Sequence, residues 1–225
     1  MTSDAAGARL TALGDAALEA LGAAHQGREA ALGRCRDTIR ACSLAIRAVH
    51  RLQADAARRL ADEAETALRQ AQEAVAPFPR LAAAGFLHDA EKEFAEARLT
   101  AALVDASELP SAGELRIEVA AWLNGLAEAA SELRRHLLDR LRFGETDRAE
   151  ELLAAMQDVY DLLVTIDYPD AVTGGLRRTT DALRAVLERS RSDVTTTVLQ
   201  VGLQRAIEAA GRASTDPPGA APPGH

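Results

Sequence analysis

The sequence predicts an all-α bundle, and three observations carry that reading. Apolar residues recur at spacings of three and four over long stretches, and no stretch alternates apolar and polar as a half-buried strand would. Ala, Leu, Arg and Glu dominate while aromatic residues make up only 3%, which favours helices around an aliphatic core at close backbone spacing. Helix breakers are gathered in a few places and leave long uninterrupted runs between them. With 225 residues, 48% of them hydrophobic and 27% charged, the chain suits one domain, expected over 1–212. The Pro/Gly/Ala-rich tail 213–225 is expected to be disordered.

Residues 5–24, with leucines at 10, 13, 18 and 21 among alanines, predict a first helix ended by Gly22 and Gly27. From Arg28 to Val75 only Gly33 interrupts, and Ile39, Cys42, Ile46 and Val49 keep the helical period, so one long helix is expected there. Pro77-Phe78-Pro79 stops it. Phe86 to Ala106 resumes the pattern, and after Pro110 and Gly113 a helix is expected over 114–142. Its apolar stripe is Leu115, Val119, Trp122, Leu126, Ala129, Leu133 and Leu137, with a second column of small residues at Ala121 and Gly125. That second column implies a further packing partner, and with it self-association. Gly144, Thr146 and Asp147 mark the next stop and start, leading to a helix ending near Ile166. A corner through Asp167-Tyr168-Pro169-Asp170 and Gly174-Gly175 precedes the last helix, Leu176 to Gly211.

A net charge of -8 argues against a protein coated in basic surface for duplex DNA. A local basic cluster can still engage phosphates. Arg40, Arg47 and Arg51, with Ser43 and His50, form one such ridge. No apolar run approaches the ~20 residues of a membrane span and no signal pattern opens the chain, so a cytoplasmic protein with no membrane partner is expected. Cys35 and Cys42 lie two helical turns apart, ~10 Å along the axis, too far for a disulfide. They are expected to be reduced core residues.

The chemistry narrows by elimination to carboxylates. No phosphate-binding loop, zinc spacing or Ser-His-Asp grouping is present. Two helical pairs remain: Glu93/Glu96, of which Glu96 lies between apolar columns, and Glu128/Glu132, one turn apart on one face. Four carboxylates facing one another cannot all ionise in a low-dielectric site without a cation. Oxygen-only ligands favour Mg2+ or Mn2+, which can activate water and stabilise charge on a phosphate.

These residues resemble the translin family, in particular its translin-associated factor X and archaeal-type branch. The resemblance runs from about Arg36 to Val194 through Ile46-Arg47-Ala48-Val49-His50-Arg51, Glu93-Phe94-Ala95-Glu96-Ala97, Leu109-Pro110-Ser111, Leu123-Asn124-Gly125-Leu126-Ala127-Glu128, Ser131-Glu132-Leu133-Arg134-Arg135 and Ile166-Asp167-Tyr168-Pro169-Asp170 to Gly174-Gly175-Leu176-Arg177-Arg178. It implies a seven-helix antiparallel bundle assembled into hollow homo-oligomers, often octamers, that hold single-stranded RNA or DNA. It also implies a magnesium-dependent endoribonuclease site, carried onto Glu93, Glu96, Glu128 and Glu132 as catalytic and metal-binding residues. Arg47, His50 and Arg51 are the corresponding nucleic-acid-binding residues. Glu128 departs from the pattern, standing where the active branch has Asp. Its extra methylene lengthens the reach by about 1.5 Å, enough to disturb tight octahedral magnesium geometry. A non-catalytic single-strand-binding oligomer is the alternative reading.

Overall fold

In the computed structural model, which describes residues 3–215 and their side chains over 7–212, the chain forms helices joined by short connections, with no strand among the described residues. In chain order the helices are α1 (Ser3–His50), α2 (Ala54–Val75), α3 (Pro79–Ala82), α4 (Gly85–Asp105), α5 (Ala112–Leu115), α6 (Val119–Arg142), α7 (Thr146–Val164), α8 (Asp170–Thr173) and α9 (Leu176–Thr215). Among the described residues six are long and three are single turns, where the family resemblance implies seven in all. The expected disordered tail lies outside the described residues, except that the backbone of 213–215 continues α9 beyond Gly211.

Two boundaries differ from the sequence reading. Residues 3–50 form one helix, not a helix ending at Gly22–Gly27 and a second starting at Arg28. Glycine in a helix interior costs only about 1 kcal/mol relative to Ala. Gly27 is required there by packing, since a Cβ on it would lie 2.8 Å from both the Ala74 carbonyl oxygen and the Phe78 ring. The break falls instead at Arg51–Gln53, where Leu52 adopts φ 58°. The Leu52 N–H donates to the Val49 carbonyl and the Gln53 N–H to the Ala48 carbonyl, at 2.9 Å each. That is a Schellman ending built on leucine rather than glycine, so no glycine announces it.

The helix expected over 114–142 is likewise split. A capping box between Ser111 and Glu114 starts α5, and Arg116, at φ 49°, ends it. The Arg69 guanidinium on α2 then donates to the Leu115 and Arg116 carbonyls, and the buried Glu91 on α4 accepts the Glu118 N–H at 3.2 Å. Val119 is consequently 62% exposed instead of lying on the core stripe, while Leu126, Ala129, Leu133 and Leu137 are buried as expected.

α1 and α2 form an antiparallel hairpin, α4 lies on α1 and on α6, and α7 and α9 cover the other side of α6. α6 is therefore the central helix. Both residues of the small column are used inside the chain, Ala121 being fully buried and Gly125 packed against α4, so the column gives no reason to expect a second subunit. A Cβ on Gly125 would lie 2.6 Å from the Ala95 Cβ, 2.7 Å from the Lys92 carbonyl oxygen and 2.9 Å from the Glu96 nitrogen. Glycine here sets how closely the two carboxylate-bearing helices cross. Cys35 and Cys42 are free and buried, and burial lifts their thiols to about 11 and about 12, which keeps them protonated. No helix among the described residues is long and apolar enough to cross a membrane.

Candidate metal centre and basic ridge

The close crossing at Gly125 fixes the site. One turn further along α6, Glu128 faces α4 beside Glu93 and Glu96. One carboxylate oxygen from each of these three residues lies within 4.8 Å of the others. All three side chains are part-buried. Burial, followed by the negative charges of Glu128, Glu93 and Glu132, raises the Glu96 carboxyl to about 8. At neutral pH Glu96 is thus predominantly protonated in the metal-free protein.

A second device limits repulsion. The Lys92 ammonium lies 2.8 Å from Glu128 Oε1 and 3.4 Å from Glu93 Oε1. Sequence reasoning missed Lys92, although a signal was available: it is the only lysine in the chain. One positive charge and one retained proton together lower the charge that the cluster would otherwise hold.

Glu132 is placed differently from the other three. Its Oε2 lies 2.6 Å from His50 Nε2, and that hydrogen bond lowers its carboxyl below the usual range. Its charge still reaches Glu96. Three of the four expected ligands therefore converge, while the fourth is held beside them by His50.

The expected nucleic-acid residues also separate. Arg47 and Arg51 are exposed at the end of α1, and neither has an acidic partner among the described residues. The His50 side chain, only 4% exposed, turns inward to Glu132 and lies 5.1 Å, centroid to centroid, from the buried His136 ring. His50 accordingly links the ridge to the carboxylates and does not line the ridge.

Beyond Glu128 and Lys92 a cleft of about 280 Å3 opens towards the start of α9, bordered also by His88, Asp89 and Arg178. Asn124 builds its floor. The Asn124 side chain donates to the Thr173 carbonyl at 2.8 Å and accepts from the Thr179 hydroxyl at 2.7 Å. Those bonds tie the corner before α9 to the central helix.

No family model matches the sequence. An uncharacterized protein of Methanocaldococcus jannaschii is 28% identical over 188 residues, spanning 80% of this chain and 81% of that protein. AfC3PO in complex with duplex RNA is similar with a TM-score of 0.77 at 27% identity, over 83% of this chain and 96% of that one. AfC3PO itself gives 0.72 at 29% identity, over 85% and 98%. Apo-NeC3PO gives 0.73 over 81% and 96%, and at 17% identity it supports the fold alone. This chain therefore shares the all-helical, translin-like fold of AfC3PO along nearly the whole length of that protein.

Proposed function

We propose that this protein binds single-stranded RNA or DNA and cuts RNA at a divalent-cation site formed by Glu93, Glu96 and Glu128. The observation that carries the reading is the convergence of three carboxylates on two different helices. A set of oxygen donors with no softer ligand suits Mg2+, with Mn2+ as the close substitute. Such a cation supplies Lewis acidity, activating water and offsetting charge that develops on a phosphodiester.

The remaining steps belong to the chain. Glu96 gives up its proton to become a ligand, so binding of the cation should release a proton near neutral pH. His50 keeps Glu132 ionised and oriented beside the other three carboxylates. Arg47 and Arg51 contact phosphates of the bound strand, which an acidic protein must engage at short range. AfC3PO has been seen with duplex RNA, so duplexes belong in the assay beside single strands.

Assembly into a homo-oligomer is part of the proposal, on grounds other than the small-residue column. Leu10, Leu13, Leu18 and Leu21 on α1 are 59–71% exposed, and Leu199, Leu203 and Ile207 on α9 are 63–69% exposed. Two helical segments with unpaired apolar faces suit helix-on-helix contact between copies. Binding without cleavage is the second reading, favoured by Glu128 at the position of Asp and by a lysine already bonded to it.

Glu93→Ala separates the two. Under the nuclease reading it abolishes cleavage of labelled RNA while gel-shift affinity stays within about twofold. Replacing Arg47 and Arg51 together with Ala should weaken binding to all sequences alike and flatten its salt dependence. Glu93→Ala that cleaves as well as wild type would remove the carboxylates from the chemistry.

A further inference from the structure

Of the 26 Lys and Arg side chains in this sequence, Lys92 is the one lysine. Arginine serves every surface ion pair of the described residues that does not involve Lys92 or His50. The single departure falls where two carboxylates of the candidate centre meet, with the Lys92 side chain only 22% exposed. The difference is chemical. An ammonium is a compact point charge with three donors, whereas guanidinium is a wide planar fork that grips a carboxylate through two bonds. A single charge on a flexible stem can be withdrawn from its partner without breaking a two-bond grip. Its withdrawal has room, because Lys92 also borders the cleft of about 280 Å3 next to Asp89 and His88.

We infer that Lys92 is an exchangeable counter-ion of the carboxylate centre, holding Glu128 and Glu93 in the metal-free protein and yielding Glu128 when a divalent cation binds. The inference rests on reading Glu93, Glu96 and Glu128 as a cation site, and adds that cation affinity is set by competition with the chain's own ammonium. Lys92 is then a positioning residue. It keeps two ligands close together in the empty site, at the cost of weaker cation binding.

A sole lysine gives a direct readout. Wild-type protein is treated with an amine-acylating reagent, with and without Mn2+, and the Lys92 peptide is quantified separately from the N-terminal peptide. Mn2+ should speed Lys92 acylation by about threefold or more, since an amine withdrawn from Glu128 into the cleft is open to the reagent. In parallel, Mn2+ affinity is measured by electron paramagnetic resonance for wild type and Lys92→Met. Removing the competing charge should tighten binding about tenfold, a difference of about 1.4 kcal/mol. An acylation rate unaffected by Mn2+, or a folded Lys92→Met variant that binds no more tightly, overturns the exchange while Mn2+ binding by wild type leaves the cation site standing. Should Lys92→Met fail to fold, the acylation rate in wild type decides alone. Wild-type protein that binds no Mn2+ overturns the cation site and the exchange together.

Discussion

Glu96 is the residue whose state changes most with conditions. Its carboxyl stands at about 8 against an ordinary 4.5, through burial and then the charges of Glu128, Glu93 and Glu132. An acid raised in the folded state contributes stability that is complete below its unfolded pKa and is lost as pH rises through the folded value. In chelator the metal-free protein should therefore lose stability between about pH 5 and pH 8.5. Glu96→Gln removes that loss. At pH 8.5 it should melt about 2–4 °C above wild type, the equivalent of about 1 kcal/mol for a chain this long, with the gap shrinking towards pH 5. Differential scanning calorimetry across that range checks it, and a constant gap would mean that Glu96 does not titrate there. The partial burial of Glu96 was legible from Leu99 and Leu103, which lie one and two turns beyond it on its own side of the helix. The inward turn of His50 was not, because its partner Glu132 lies 82 positions away and helical spacing says nothing of such distances.

At the level of helices, the crossing of α4 and α6 decides whether the carboxylates meet. Gly125→Ala places a Cβ within 2.6–2.9 Å of Ala95 Cβ and of backbone atoms of Lys92 and Glu96. Backbone cannot swing aside as a long side chain can, so the helices must separate. The expected cost is about 1–3 kcal/mol in urea unfolding, together with weakened Mn2+ binding. A variant as stable as wild type would show that the crossing has slack. The sequence announces helices through their apolar period and their Gly and Pro stops, which is why the end of α2, α4, α7 and the start of α9 lie close to expectation. It is silent where a helix ends in a left-handed residue that is not glycine. Leu52, Ala106 and Arg116 are three such positions, and two of them account for the misplaced breaks. At Arg116 the carbonyls freed by the break are satisfied by Arg69 and Gln72, more than 40 residues away in sequence. Local pattern carries no trace of that.

For the whole molecule, the long ends of α1 and α9 project apolar side chains that this chain does not cover. Light scattering should give a mass that is a multiple of 23.8 kDa. Replacing Leu13 and Leu21 with Glu should reduce it, because charges on a helix–helix contact are left unpaired and desolvated. A monomer at micromolar concentration would mean that those faces serve something else. The centre itself is carried by two helices of one chain and needs no second copy to bring Glu93, Glu96 and Glu128 together. The most direct measurement is the fate of end-labelled single-stranded RNA incubated with purified protein in Mg2+, in Mn2+ and in excess chelator. Internal cleavage that requires either ion and stops with chelator is the expected result. Intact RNA under all three conditions, in protein that demonstrably binds it, would contradict the nuclease reading and leave a binding protein.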